Sequence, residues 1–194
     1  LQTRFGRKLM KPLFTIHAGE YLVGSYIEKK YRNWHLWVPS KDTGIDLLVT
    51  NKNNSKTTSI QVKFSKDYVP DFNKSIHREN LSCSGWWTLN QKKLYESKAD
   101  YWVFVINSYS ENNIQYVIIS PKELYSRLKL IHSSQKEKIR TYLLVTKNKE
   151  CWEIRGIDKK QIDAIGRKGI NVINKDRKFS RYLNNWKPLE KKLG

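Results

Sequence analysis

Residues 44–64 read GIDLLVTNKNNSKTTSIQVKF, and this stretch decides the predicted fold. Two short apolar runs with β-branched side chains are joined by the polar segment NKNNSKTT, a pattern typical of a β-hairpin. Because side chains alternate between the faces of a strand, Gln61 and Lys63 share one face of the second run and Val62 takes the other. A lysine inside a core strand is costly unless a partner neutralises it, and Asp46 in the first run is the predicted partner.

A second acidic group is predicted to approach the hairpin from upstream. Residues 15–32 have a helical pattern in which Ile16, Glu20, Val23 and Ile27 recur at spacings of four, three and four. This spacing places them on one stripe of a helix, so Glu20 lies within the apolar stripe. An inward glutamate also needs a cation. We therefore expect four polar side chains to meet at one point: Glu20, Asp46, Gln61 and Lys63.

The order of these elements resembles the PD-(D/E)XK nuclease superfamily. A helix with Glu20 is followed by a strand with GID and a strand with QVK, as in that family. Gln61 stands where the family usually has an acid, and Ile45 replaces the usual proline before Asp46. The glutamine form is similar to the QxK variant of Mrr-like restriction enzymes. The resemblance covers roughly residues 16–120.

The resemblance implies an α/β fold with a restriction endonuclease-like core. Its elements would follow the order αβββαβ, with a mixed central sheet of four or five strands flanked by helices. A basic C-terminal extension would follow. We expect residues 1–131 to form the core with an N-terminal basic arm, and residues 132–194 to form a hairpin and a basic helical extension packed on or near it.

The predicted chemistry is hydrolysis of a phosphodiester with the help of a hard divalent cation held by oxygen ligands. The cofactor is expected to be Mg²⁺, for which Mn²⁺ substitutes. Asp46 would bind the cation directly, and the Gln61 side-chain oxygen and the Val62 carbonyl would be further ligands. Lys63 would orient or deprotonate the attacking water or stabilise charge on the phosphate. Glu20 would accept from Lys63 or hold the cation through water.

The charge of the chain indicates an anionic partner. Lys and Arg number 37 against 18 Asp and Glu, which gives a net charge of +19 and a pI near 9.9. Such a balance favours nucleic acid, and we expect DNA. The residues predicted to contact DNA are Ser40, Lys41, Lys66, Lys74, Arg78, Lys92 and Lys93. Cations alternate with Tyr68 and Phe72 in the segment after QVKF, a pattern suited to backbone tracking and base stacking.

Three functions are compatible with these observations. The first is a restriction-like DNA endonuclease, which would need a homodimer to cleave palindromic sites. The second is a structure-specific nuclease of the junction or repair type. The third is a non-catalytic DNA-binding protein with a degenerate site, in which Asp46 and Lys63 form only a cross-strand salt bridge.

Two patterns that the sequence lacks, a membrane span and a disulfide framework, predict where in the cell the protein lies. No apolar run approaches the length of a membrane span, so we expect no membrane partner. Cys83 and Cys151 lack metal-ligand spacing and do not suggest a disulfide framework. We expect reduced thiols and a cytoplasmic protein, and the abundance of Lys and Asn fits a bacterium with an AT-rich genome.

The rest of the chain predicts further elements. Residues 86–99 are predicted to form a helix, residues 101–107 and 114–120 two strands, and Pro121 the start of another helix. Residues 141–155 are predicted to form a second hairpin. Between residues 167 and 192, the aromatic side chains Phe179, Tyr182 and Trp186 recur among basic residues, which predicts a basic amphipathic helix or arm. It would dock on the core or on DNA.

Overall fold

A computed structural model describes residues 17–66, 80–108, 113–132, 137–166 and 174–194. The predicted N-terminal arm lies outside these residues. The helices are α1 (Ala18–Lys30), α2 (Gln91–Tyr95), α3 (Pro121–His132), α4 (Lys159–Gly166) and α5 (Lys187–Leu193). The strands are β1 (His35–Trp37), β2 (Leu47–Thr50), β3 (Thr57–Lys66), β4 (Leu81–Asn90), β5 (Tyr101–Ser108), β6 (Asn113–Ile119), β7 (Lys138–Thr146) and β8 (Cys151–Glu153). No helix among the described residues is long and apolar enough to cross a membrane.

The larger of two sheets has five strands in the order β1-β2-β3-β5-β6. β3 and β5 are parallel and the other neighbours are antiparallel, so the sheet is mixed. From Trp102 to Ile106, β5 is buried on both faces, as expected for a central apolar strand. The predicted fold class, a mixed sheet flanked by helices, is confirmed.

One face of the five-stranded sheet is covered by α1 and α5. Val23 and Ile27 of α1 pack with Ile60 and Val62 of β3 in a single apolar cluster, to which α5 adds Leu189 and Leu193. The approach of α1 is close at its first turn, because a Cβ on Gly19 would lie 2.7 Å from Cβ of Phe64. A glycine at this position therefore lets the start of α1 lie directly on β3.

The opposite face is covered by a second, antiparallel sheet in the order β4-β7-β8. Trp87 of β4 packs edge-to-face on Phe104 of β5, with ring centroids 4.9 Å apart. Leu143 of β7 and Leu124 of α3 belong to the same apolar cluster. The central strand β5 is thus enclosed between helices on one face and a sheet with a helix on the other.

The helix predicted for residues 86–99 is wrong over its first half. Residues Leu81–Asn90 form strand β4, and the helix α2 is limited to Gln91–Tyr95. Cys83, Trp87 and Leu89 are buried on the inner face of β4, so tertiary packing imposes the two-residue period on this segment. Asn90 then caps α2, because its side chain accepts a hydrogen bond from the Lys93 N–H.

The C-terminal tail docks on the core, one of the two predicted positions, and it is not one amphipathic helix. Short 3₁₀ turns at Lys175–Arg177 and Ser180–Tyr182 precede α5. Phe179 and Trp186 are buried, and Trp186 stacks on Tyr26 of α1 with ring centroids 4.8 Å apart.

The predicted division of the chain after residue 131 stays a prediction. β4 pairs with β7, so the two parts share an apolar cluster.

A buried ion pair fixes the tail against the second sheet. Glu153 of β8 is fully buried, and its Oε2 accepts a hydrogen bond of 2.6 Å from Arg177 Nη1. The same guanidinium nitrogen donates to the carbonyls of Glu153 and Arg155. His132 lies 3.2 Å from the other carboxylate oxygen. The carboxylate thus has several partners, of which Arg177 is the permanently charged one.

We expect Arg177→Met to lower the free energy of unfolding by about 3 kcal/mol, because removing one member of a buried pair leaves a charge without compensation. Urea denaturation measures this change. Arg181→Met is the matched control, since the Arg181 side chain is 61% exposed in its pair with Glu123. That exposed pair should contribute less than about 1 kcal/mol. Equal losses in the two variants would contradict the assigned role of Arg177.

Candidate active site

The candidate site lies where β2 ends beside β3. The Asp46 N–H donates to the Ile60 carbonyl at 2.8 Å, one residue before β2 begins at Leu47. Beyond that point β3 continues, and the Val62 N–H donates to Asp46 Oδ2 at 2.7 Å. Because the N–H and C=O of one strand residue point to the same edge, the Val62 carbonyl also faces this side. The Asp46 side chain therefore binds the edge of β3 at a point beyond the end of β2, where β2 no longer pairs with it.

The loop before Asp46 is shaped by a turn. The Gly44 N–H donates to Asp42 Oδ1 at 3.2 Å, the arrangement of an Asx turn. Gly44 has a φ of 81°, a left-handed conformation that glycine adopts without steric cost. The turn brings a second carboxylate, Asp42, to the same side of the sheet as Asp46.

A cleft of about 520 Å³ opens at this edge. The five residues assigned catalytic or metal-binding roles from the sequence all line it: Glu20, Asp46, Gln61, Val62 and Lys63. The other lining residues are His17, Ala18, Gly19, Asp42, Phe64 and Trp87. All five thus line one cleft, while their convergence on one point and the roles of the individual side chains stay predictions.

Glu20 and Lys63 enter the cleft from opposite faces of the sheet. Glu20 is buried in the first turn of α1, the helix that packs on Val62. Lys63 points to the other face, where its Nζ lies 5.1 Å from the ring centroid of Trp102. The two side chains therefore reach the cleft around the exposed edge of β3.

The environment of Lys63 favours its neutral form. Burial removes water from the ammonium group and lowers the pKa of Lys63 below its usual value, and the nearby charge of Lys93 acts in the same direction. The carboxylates of Asp46 and Asp42 oppose this change. A lysine with a lowered pKa gives up its proton more readily, which suits a group that accepts a proton from water.

The oxygen atoms at this edge of β3 are of the chemical types that bind hard divalent cations. A carboxylate, an amide oxygen and a backbone carbonyl are donors that Mg²⁺ and Mn²⁺ accept. Across the described segments, no group of three or more His, Cys, Asp or Glu side chains is arranged to hold a metal ion. A cation here would therefore depend on the carboxylate of Asp46 together with neutral oxygens from Gln61 and Val62.

The residues predicted to contact DNA are only partly brought to the cleft. Ser40 and Lys41 are exposed at the start of the loop that carries Asp42. Lys92 and Lys93 are exposed on α2, and the charge of Lys93 reaches Lys63. Lys66 is the last residue of β3. Lys74 and Arg78 lie outside the described residues, as do Tyr68, Phe72 and His77.

Several residues that line the cleft have no predicted role, and Asp42 and Trp87 are the most informative of them. Asp42 lies four positions before Asp46, in the loop whose residues Ser40 and Lys41 are predicted to contact DNA. Trp87 was assigned to a helix, whereas β4 directs it toward the cleft and the core. The alternation of Cys83, Gly85, Trp87 and Leu89 along one face was the signal that could have placed it on a strand.

Comparison with known proteins gives one family match. Residues 26–117 match a family model described as a restriction endonuclease. The matched range includes Asp46, Gln61 and Lys63, and it ends within β6. Searches of curated proteins and of solved structures found no match. The family match and the mixed five-stranded sheet together identify residues 26–117 as a restriction endonuclease-like domain, consistent with an Mrr-like PD-(D/E)XK nuclease.

Proposed function

We propose that the protein is a Mg²⁺-dependent DNA endonuclease that hydrolyses phosphodiester bonds in a restriction-like manner. One observation carries the proposal: Asp46 is fixed to the Val62 N–H at an uncovered edge of β3, in the cleft that Gln61 and Lys63 also line. The restriction endonuclease family of residues 26–117 supports the same reaction class. The net charge of +19 supports a polyanionic substrate.

Each side chain of the cleft has a role that follows from its position. Asp46, Gln61 and the Val62 carbonyl hold the cation, which when bound neutralises charge on the phosphate and lowers the pKa of water. Lys63, with its lowered pKa, accepts a proton from the attacking water or contacts the phosphate. Glu20 orients the water from the α1 side of the cleft.

Replacement of the usual acid by Gln61 reduces the negative charge of the cleft. An amide oxygen holds a hard cation less strongly than a carboxylate does, because it carries no net charge. We infer that the cleft holds one cation rather than two. Asp42 supplies additional negative charge from the neighbouring loop and thereby offsets part of the loss.

The DNA would be held by the cations around the cleft, with Lys41 on one loop and Lys92 and Lys93 on α2. Lys66, Lys74 and Arg78 stay predicted DNA contacts from the sequence. Cleavage of a palindromic site would require a homodimer, since two-fold symmetry in the site is matched by two-fold symmetry in the protein. A structure-specific nuclease would use the same cleft on branched or damaged DNA.

We expect Asp46→Asn to lower the rate of plasmid cleavage in Mg²⁺ by at least about 100-fold, a loss typical for removing one electrostatic group from an active site. The amide keeps an oxygen that accepts from the Val62 N–H, so the fold should persist. Cleavage is measured as conversion of supercoiled plasmid, with Mg²⁺, Mn²⁺ or EDTA present. EDTA should abolish the activity of the parent protein.

Asp158→Asn is the matched control for this substitution. Asp158 is exposed, and its Oδ1 accepts from the Gln161 N–H at 2.8 Å, so the same charge and contact are altered away from the cleft. This variant should cleave like the parent. If Asp46→Asn also cleaved at the parental rate, the catalytic assignment would be wrong. A parent that bound plasmid without cutting it would instead be a DNA-binding protein with a nuclease fold.

Gln61→Glu should raise the affinity for Mn²⁺ by at least about tenfold, equivalent to ~1.4 kcal/mol, because a carboxylate replaces a neutral ligand. Titration calorimetry on the protein without DNA measures this without reference to activity. Gln161→Glu adds the same charge on α4 and should leave the affinity unchanged. Weaker Mn²⁺ binding by Gln61→Glu than by the parent would exclude Gln61 as a ligand.

A further inference from the structure

The outer face of the second sheet is only partly covered. Along β4, Trp87 points inward to the catalytic cleft and Trp86 points outward. Near the β8 end of the sheet, Leu144, Trp152 and Ile154 are covered by Ile165 of α4. Farther along β4 and β7, the outer face forms a cavity of about 370 Å³, and the described residues that line it are Trp86, Thr88, Arg140 and Tyr142.

The four lining residues form two cross-strand pairs. Trp86 lies opposite Tyr142, and Thr88 lies opposite Arg140, on neighbouring strands. The rings of Trp86 and Tyr142 are arranged edge-to-face, with centroids 6.5 Å apart and planes at 67°. This arrangement leaves the indole of Trp86 46% exposed although it is braced by its neighbour.

Among the described residues, the polar groups that line this cavity are cationic or neutral. Arg140 and Thr88 supply guanidinium and hydroxyl groups beside the rings. An exposed indole beside a guanidinium suits a ligand with a flat π system and a negative charge.

Volume and charge favour a nucleotide as the occupant of the cavity. Its volume of about 370 Å³ lies in the range of small-molecule sites, which is roughly 300–1,000 Å³. The guanidinium of Arg140 beside the rings, in a chain of net charge +19, complements a phosphate. Stacking of a base on an aromatic side chain accepts any of the four bases, and it is common in proteins that bind unpaired DNA.

The cavity borders the catalytic cleft through β4. β4 is the edge strand of the second sheet, and the Trp86 N–H donates to Ser65 Oγ at 3.2 Å. Ser65 lies two residues after Lys63 on β3. A DNA strand that leaves the cleft across β4 therefore passes the open side of Trp86.

We propose that Trp86, Thr88, Arg140 and Tyr142 form a binding site for one unpaired nucleobase of the DNA substrate, stacked on Trp86 with its phosphate near Arg140. The site rests on DNA being the substrate, and it takes no part in bond cleavage. Its contribution is to favour DNA that carries an unpaired or extruded nucleotide next to the scissile strand.

Binding in EDTA tests the site separately from catalysis. The probes are one duplex that is fully paired and the same duplex with a single unpaired 2-aminopurine. Trp86→Ala should raise the Kd for the bulged duplex about fivefold or more, the lower end expected for loss of one base–aromatic stack. The Kd for the paired duplex should change less than twofold. The parent should also quench 2-aminopurine fluorescence, and Trp86→Ala should not.

Two controls separate stacking from loss of structure. Trp37→Ala removes a tryptophan of similar exposure, 52%, from the edge strand β1 and should leave both Kd values unchanged. Trp86→Phe keeps a stacking ring and should restore most of the preference for the bulge. Equal weakening on both duplexes, an unchanged bulge affinity in Trp86→Ala, or failure of the parent to bind either duplex would overturn the site. Failure of plasmid cleavage with retained bulge preference would overturn only the nuclease proposal.

Discussion

The hydrogen bond from the Val62 N–H to Asp46 Oδ2 is the contact on which the candidate site depends. In an ordinary antiparallel ladder, the next backbone carbonyl of β2 would accept from β3. Here β2 ends, and a side chain takes over that acceptor role. The ladder is thereby terminated without leaving the Val62 N–H unsatisfied, and the edge of β3 opens toward solvent. The Asp46 carboxylate therefore has two roles. It satisfies the Val62 N–H in the fold, and it is a proposed ligand of the cation.

Packing around β3 and β5 then determines which groups reach this edge. Gly19 lets α1 approach β3 closely, so Glu20 reaches the cleft from the face of the sheet that α1 covers. β4 crosses from the opposite face, places Trp87 at the cleft and leaves Trp86 outside. Lys63 is held over Trp102 in surroundings that disfavour its charge. A half-buried lysine with a lowered pKa is a common feature of functional sites.

The features that could be predicted from the sequence are those that depend on the periodicity of side chains within one helix or strand. Gln61, Lys63 and Glu20, which alternation in QVKF and helical spacing single out, line one cleft, although Glu20 and Lys63 reach it from opposite faces of the sheet. The apolar run of β5 indicated its central position. The sequence did not predict β4. WWTLNQKKLY contains good helix formers, and only the distant partner β7 imposes a strand on its first residues. Asp42 was missed because its approach depends on the turn at Gly44.

In this restriction endonuclease-like fold, the proposed ligands of the cleft are one carboxylate, from Asp46, and two neutral oxygens, from Gln61 and Val62. A divalent cation is proposed to bind the Asp46 carboxylate and the Val62 carbonyl. Paramagnetic line broadening by Mn²⁺ in an NMR spectrum of the whole protein tests this claim most directly. The expected result is that the Asp46, Val62 and Glu20 amide signals broaden most strongly at low Mn²⁺ concentration. Broadening that spares Asp46 and Val62, or that is strongest at another part of the chain, would contradict it.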